Sequence, residues 1–364
     1  MHVVVFLASG LLILMMLAEF FISFLLPRRV KRDPRIARRV LVSIWLPWRA
    51  LARRLPPQAA DTLLGMFGPG ALLVLVGVWS FGLILGFAGL NWGVGSALVA
   101  HGATRFADNI YFSASAFFNV STTLAPYDNA AKALRIAEAA TGYMVLFVVI
   151  GYLPSLFQAF SRREVPVSMM DARAGSPPSA SRLLQRSGHL GGWADLDEYL
   201  ADWEIWAAEL METHLSYPIL GYFRSQHVNQ NWLATLTTVL DTSAFAIAFA
   251  PASTPAAELT FAICRHALAD LASSFRAKPL AHVENRLDAN ALERMCAIAA
   301  EASLELAEGE QVERQLAELR AMYEPYAFAL SRRLELPLPE WVDDGGVENW
   351  RQTAWHSRRA GAFH

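Results

Sequence analysis

Apolar residues gather in three long stretches, 3–26, 70–92 and 136–160, and the first holds Glu19 as its single charge. Each is about as long as the ~20 residues a helix needs to cross a ~30 Å hydrocarbon layer. A shorter apolar segment, 106–118, lies between the second and third, with Asp108 as a candidate N-cap. A helix from Asp108 to Phe118 would be about 17 Å long, too short to span. The polar run Asn119-Val120-Ser121-Thr122-Thr123-Leu124-Ala125-Pro126-Tyr127-Asp128 follows. A short apolar helix, irregular polar backbone and then a span is the order of a re-entrant loop. Such backbone survives at membrane depth only inside protein or beside water.

Elsewhere the pattern is helical. Residues 35–55 mix bases with Ile36, Val40, Leu41, Ile44, Trp45, Trp48 and Leu51, which predicts an amphipathic helix on the inner membrane surface, interrupted near Pro47. The stretch 164–192 holds Pro166, Gly175, Pro177, Pro178 and Gly188 and reads as a linker with one short helix. From Trp193 the 3.6-residue period predicts helices near 194–214, 228–249, 254–276, 286–308 and 309–334. The expected class is an all-α membrane protein with three transmembrane helices, a re-entrant helix and a C-terminal cytoplasmic helical domain. Its segments are 1–27, 28–69, 70–163, 164–192 and 193–364.

Composition fits this division: 54% hydrophobic residues coexist with 18% charged ones. Between Pro27 and Leu55, Arg28, Arg29, Lys31, Arg32, Arg35, Arg38, Arg39, Arg49, Arg53 and Arg54 face only Asp33, and Arg162 and Arg163 follow the third span. The positive-inside rule then places the N-terminus and the 106–128 loop outside, and the C-terminus in the cytoplasm of a multi-pass plasma (inner) membrane protein. The first span lacks a basic leader and an Ala-x-Ala cleavage site, so it reads as retained. Anionic headgroups are a partner for the basic segment, unless those bases only set topology. Nothing in the pattern suggests nucleic acid. Cys264 and Cys296 read as reduced thiols. Gly82 and Gly86 share a face suited to close helix packing. Glu19 reads as a structural carboxylate near the inner interface.

Chemistry is sparse. The chain has no Gly-x-Ser-x-Gly, phosphate loop, His-Glu-x-x-His or dinucleotide fingerprint, so no enzyme and no cofactor is expected. His214 and His227 flank a turn holding Tyr217, Pro218, Gly221, Tyr222 and Phe223, with Glu209 and Glu212 just before it. That is either a ligand site or a helix junction packed by aromatics. Asp343-Asp344-Gly345-Gly346 lacks calcium-loop spacing. The helix from Trp193 carries Asp195, Asp197, Glu198, Asp202, Glu204, Glu209 and Glu212 with no base among them, which suggests either docking on the basic segment or a solvated face.

The 106–163 stretch resembles the pore of the potassium-channel superfamily. Tyr111-Phe112-Ser113 and Phe117-Phe118 match its pore helix, Pro126 its proline, and Lys132, Glu138 and Gly142 the start of its inner helix. The resemblance implies a tetrameric channel for monovalent cations, with 70–92 and 136–160 as outer and inner helices and 1–27 at the periphery. One register makes Asn119, Val120, Ser121, Thr122 and Thr123 the selectivity filter, with Leu124, Ala125 and Pro126 as its exit. It keeps the flanks aligned with a single deletion, and Ser121 and Thr123 then hold the two glycine places. A rival register lays 122–128 on the filter, with Ala125 and Tyr127 on those places. Gly142 and Gly151 are the inner-helix hinge positions. Selective filters stack backbone carbonyl rings, and the glycines allow angles that other residues disfavour. Weakly selective passage or a closed pore is therefore expected, with the negative end of the pore helix favouring a cation. The alternative is a non-conducting sensor or scaffold that retains the architecture.

Overall fold

The computed structural model describes residues 2–24, 36–95, 105–126, 128–226 and 229–343. The bases from Arg28 to Arg35, together with Tyr127, His227 and Asp344-Gly345-Gly346, lie outside them. The described residues form eleven α-helices: α1 His2–Phe24, α2 Ile36–Ala52, α3 Pro57–Val94, α4 Phe106–Phe117, α5 Asn129–Ala174, α6 Ala180–Leu190, α7 Trp193–Ser216, α8 Trp232–Phe249, α9 Pro255–Phe275, α10 Ala289–Glu301 and α11 Glu310–Leu334, plus a 3-10 turn, Pro218–Tyr222. They divide into two compact units, Met1–Phe157 and Gln158–His364.

Four helices, α1, α3, α5 and α8, are long and apolar enough to cross a membrane. They differ in what covers them. The most apolar window of α8 is 94% buried by protein, against 28% in α1 and 17% in α5. A helix wrapped by protein on all sides is a core helix, whereas α1 and α5 leave Leu7, Leu11, Leu14, Leu146, Phe147 and Ile150 exposed.

In the first unit, α1 runs antiparallel to α3 along a glycine stripe. A Cβ at Gly82 would meet the Met16 sulfur at 2.6 Å, and one at Gly93 would meet Phe6 at 2.9 Å, while Gly86 lies against Ile13 and Gly89 against Ser9. Without a hydrophobic drive between helices, this close approach is what apolar spans use to associate. Phe20 and Phe24 close the stripe on Trp79, with ring centroids 5.8 and 5.1 Å away. Glu19 is buried and accepts the N–H of Ile36 at 3.1 Å, so its carboxylate sits at the positive N-terminus of α2.

The amphipathic helix expected over 35–55 forms as α2, and its tryptophans face α3. Trp45 stacks edge-on against Phe67 (4.7 Å), and the Trp48 indole donates to the Leu63 carbonyl at 2.8 Å. Ile36 sits at the level of Glu19, beside Trp79, while Trp48 reaches Leu63, about 24 Å further along α3. α2 therefore runs antiparallel beside the first half of α3, held there by its tryptophans.

In the second unit α7, α9, α8 and α11 pack together, and α6 lies against α7, α8 and α10. Two boundaries depart from the sequence reading. The expected linker begins as helix: α5 continues past Phe160 to Ala174, and only 175–179 break it before α6. Pro166 sits inside α5, where it removes just the bond to the Arg162 carbonyl. The helix expected over 286–308 ends at Glu301, because Ser303 turns left-handed (φ 64°) and Ala307 donates instead to Phe249. Cys264 and Cys296 are both free thiols.

Candidate functional site

α4 begins with a reciprocal cap. Asp108 is not its N-cap but its third residue, and accepts the Arg105 N–H at 2.8 Å. Along α4, Phe112, Ser113, Ser115, Ala116 and Phe117 are buried. The Ser113 hydroxyl meets the Ile84 carbonyl of α3 at 2.8 Å and the Glu138 carboxyl of α5, and both side chains are fully buried. One hydroxyl therefore ties the short helix to both long neighbours. Gly142 passes directly under the Phe117 carbonyl, where any side chain would collide. The Arg135 guanidinium lies 5.6 Å over the Phe112 ring, a second link between α5 and α4.

The end of α4 sets the loop geometry. Asn119 is left-handed (φ 52°), its N–H bonds to Ala116, and the Val120 N–H bonds back to Ser115 at 2.8 Å. This is a Schellman stop with asparagine in the usual glycine place. The Phe118 N–H takes the Ala114 carbonyl. Three of the last carbonyls of α4 are thus occupied within the chain, which leaves less at its negative end for a cation than the sequence suggests. The Asn119 amide donates to the Tyr143 hydroxyl at 2.6 Å, and Tyr143 stacks on Phe147. Thr122 accepts the Leu124 N–H at 3.2 Å.

Among the described residues of the loop only Asn119 has a positive φ; Ser121, Thr123 and Ala125 do not. β-Branched Thr123 resists such angles most. Asn119, Val120, Ser121, Thr123 and Ala125 are exposed, and Thr122, Leu124 and Pro126 half-buried. Asp128 accepts the Ala131 N–H at 2.6 Å and starts α5. Gly142 and Gly151 both lie inside continuous α5, the first at the Phe117 contact and the second with open space beside it.

The second unit holds two buried polar clusters, the first at the His214 turn. Arg163 is buried and donates to the Leu220 and Phe223 carbonyls, both at 2.9 Å, and its Nε pairs with Glu164 at 2.8 Å. Its Nη1 also lies 3.3 Å from His214 Nε2. His214 Nδ1 is 2.8 Å from the Leu210 carbonyl, and the ring packs 5.2 Å from Trp232. Around His214 the turn is a helix junction, and no group of metal ligands occurs among the described residues.

The second cluster centres on Asp241, the one charge in α8. Arg286 grips its two oxygens at 3.1 and 2.5 Å, and the Tyr323 hydroxyl donates to it at 2.5 Å. Glu324 joins Arg286 (3.5 Å) to Arg320 (3.1 Å), and both guanidinium groups lie over Trp341. Burial, the largest single effect, would pull the Arg286 pKa down, but Asp241 together with Tyr323 and Glu324 raises it overall. Burial and the neighbouring Asp241 charge hold Tyr323 protonated. The acidic run of α7 is partly spent inside the unit: Asp195 pairs with Arg173 and Asp197 accepts the Ala257 N–H at the start of α9, while Glu198, Asp202, Glu209 and Glu212 are exposed.

The chain matches no protein-family model, no curated protein and no solved structure.

Proposed function

We propose that the chain forms a homotetrameric, potassium-channel-like membrane protein, with α1, α3 and α5 crossing the bilayer and α4 with 118–126 as a re-entrant pore loop. The observation that carries this reading is the wedging of α4 between α3 and α5 through Ser113, with the loop beyond it exposed on a single chain. One chain supplies one such loop, which cannot enclose a water path, so copies must close around an axis. The basic flanks put the N-terminus outside and the second unit in the cytoplasm.

Asn119 to Thr123 would line the path, Leu124 to Pro126 its exit, and Gly142 and Gly151 the inner helix. Without left-handed residues at Ser121 and Thr123, stacked carbonyl rings cannot form there. Hydroxyls and hydrated ions would then govern passage, giving weak discrimination among monovalent cations. Purified protein in planar bilayers under bi-ionic potassium and sodium should show reversal near zero. Strong potassium preference, or a stable monomer in lipid, would overturn this reading.

One observation favours a non-conducting sensor or scaffold instead: the Asn119 amide, the Thr122 hydroxyl and the last α4 carbonyls already have partners in the same chain. A tetramer without current in any salt would select it.

A further inference from the structure

The buried pair Arg163–His214 has one hydrogen-bonding solution at neutral pH. The Leu210 carbonyl can only accept, so His214 Nδ1 carries the ring hydrogen. Nε2 then presents its lone pair to the Arg163 guanidinium 3.3 Å away. Arg163 in turn fastens α5 to the 3-10 turn by donating to Leu220 and Phe223, and its own carbonyl accepts the Trp206 indole at 3.2 Å.

We propose that this pair is an acid-labile joint: below a pH of about 6.5, a proton on His214 Nε2 displaces Arg163 and releases the turn from α5. A proton on Nε2 removes the acceptor and sets two buried cations side by side, with no lone pair left between them. Few other charges face the ring. On α5, Glu164 lies beyond the guanidinium, on its Nε side. From α8 comes uncharged Trp232, and the one charge of that helix, Asp241, is held by Arg286 and Tyr323. The turn Pro218–Tyr222 has no charged residue. On α7 itself, Glu209 and Glu212 line the groove beside Arg162 at the surface.

Burial first, and the Arg163 charge second, push the His214 pKa well below its ordinary value, against the Leu210 bond that raises it. In the closed joint the ring is neutral; once freed it returns to a pKa near 6.5. The open state therefore binds the extra proton. Closure is fully favoured about one pH unit above 6.5, and the opening constant rises about fivefold over the first unit below 6.5 and roughly tenfold per unit after that, until the closed-state pKa is reached. The joint would open whether or not the membrane unit conducts.

Amide hydrogen exchange on the full chain in lipid nanodiscs reads this directly, after correction for intrinsic rates. The reporters are Leu220 and Phe223, whose N–H groups bond within the turn. Their opening should increase about fivefold between pH 6.5 and 5.5. In His214→Gln, whose amide can serve both partners but takes no proton, it should stay flat. Unchanged protection in the parent protein, or equal acid opening in His214→Gln, overturns the proposal. Should that variant fail to fold, ring-nitrogen NMR of the parent decides. The expected result is an Nδ1–H tautomer at pH 7.5 that protonates in step with opening. A protonated ring in a closed joint overturns the proposal.

Discussion

The two units bury polar groups in opposite ways. Among the described residues of the first, buried carboxyls meet single partners: Glu138 meets Ser113, which also reaches the Ile84 carbonyl, and Glu19 meets the start of α2. Its helices recognise one another through the glycine stripe of α3. In the second, five side chains, Asp241, Arg286, Tyr323, Glu324 and Arg320, form one continuous network beneath Trp341. Water-facing units gain by hiding apolar surface and can carry such a network inside. Helices in lipid gain little from apolar burial, so close fit and isolated hydrogen bonds must do the sorting.

The comparison breaks most readily at Asp241. Asp241→Asn should leave Arg286 buried with only half its counter-charge, costing roughly 3–5 kcal/mol. Chemical denaturation of the full chain should show loss of the second unit well before the first. Adding Arg286→Met should recover part of that loss, since the remaining network loses one charge of each sign. A cost below about 1 kcal/mol would mean that apolar packing alone holds this unit.

The glycine stripe comes next. Gly86→Leu would drive a side chain into Ile13, and overpacking of this kind costs roughly 1–3 kcal/mol. Gly77→Leu, where nothing lies within 4 Å, is the matched control. Titration with a denaturing detergent should separate α1 from α3 early in the first variant and not in the second. Equal behaviour would remove the stripe as the basis of α1–α3 pairing.

Much of this contrast was legible in the sequence, though unevenly. The long apolar helices and most helices of the second unit were readable because long apolar runs and a 3.6-residue period leave few alternatives. The continuation of α5 was not, since Arg162-Arg163-Glu164 and Pro166 look like the end of a span. Yet Arg163 is an anchor turned inward, satisfied by carbonyls 57 and 60 residues away. Ser113 and Glu138 each stood out, but 25 residues separate them and only the fold makes them a pair. Asp241 had a signal, one carboxylate in an apolar helix, but its partner Arg286 lies 45 residues on. The acidic run of α7 misled in part, because Asp197 caps α9. A lysine there would disturb the unit for local reasons before any docking surface was tested.

A smaller effect is expected at Ser113. Ser113→Ala removes the hydroxyl between α3, α4 and α5. Such bonds in membrane helices average about 0.6 kcal/mol and reach about 1.7. Thermal stability of the full chain in detergent should therefore fall modestly, and far less than for Asp241→Asn. A loss of similar size would show that the first unit depends on buried polar groups as the second does.

The most discriminating effect, and in its glycine variant the smallest, is at Asn119, where backbone and side chain can be separated. The residue supplies a left-handed turn and a hydrogen bond to Tyr143 at once. Asn119→Gly keeps the turn without strain and loses the bond, while Asn119→Ala loses the bond and strains the turn. Left-handed backbone costs a residue with a Cβ about 1–2 kcal/mol, and a neutral hydrogen bond contributes about 1 kcal/mol. Glycine offsets part of its loss by relaxing the turn, so Asn119→Gly should cost a few tenths and Asn119→Ala about 1–2 kcal/mol. Tyr143→Phe loses the bond with no such offset and should fall between them, at about 1 kcal/mol. If both Asn119 variants and Tyr143→Phe cost the same, the hydrogen bond alone shapes the loop. If Asn119→Gly is neutral while Tyr143→Phe costs more than Asn119→Ala, Tyr143 has a role apart from Asn119, and the loop geometry rests on the Schellman stop alone.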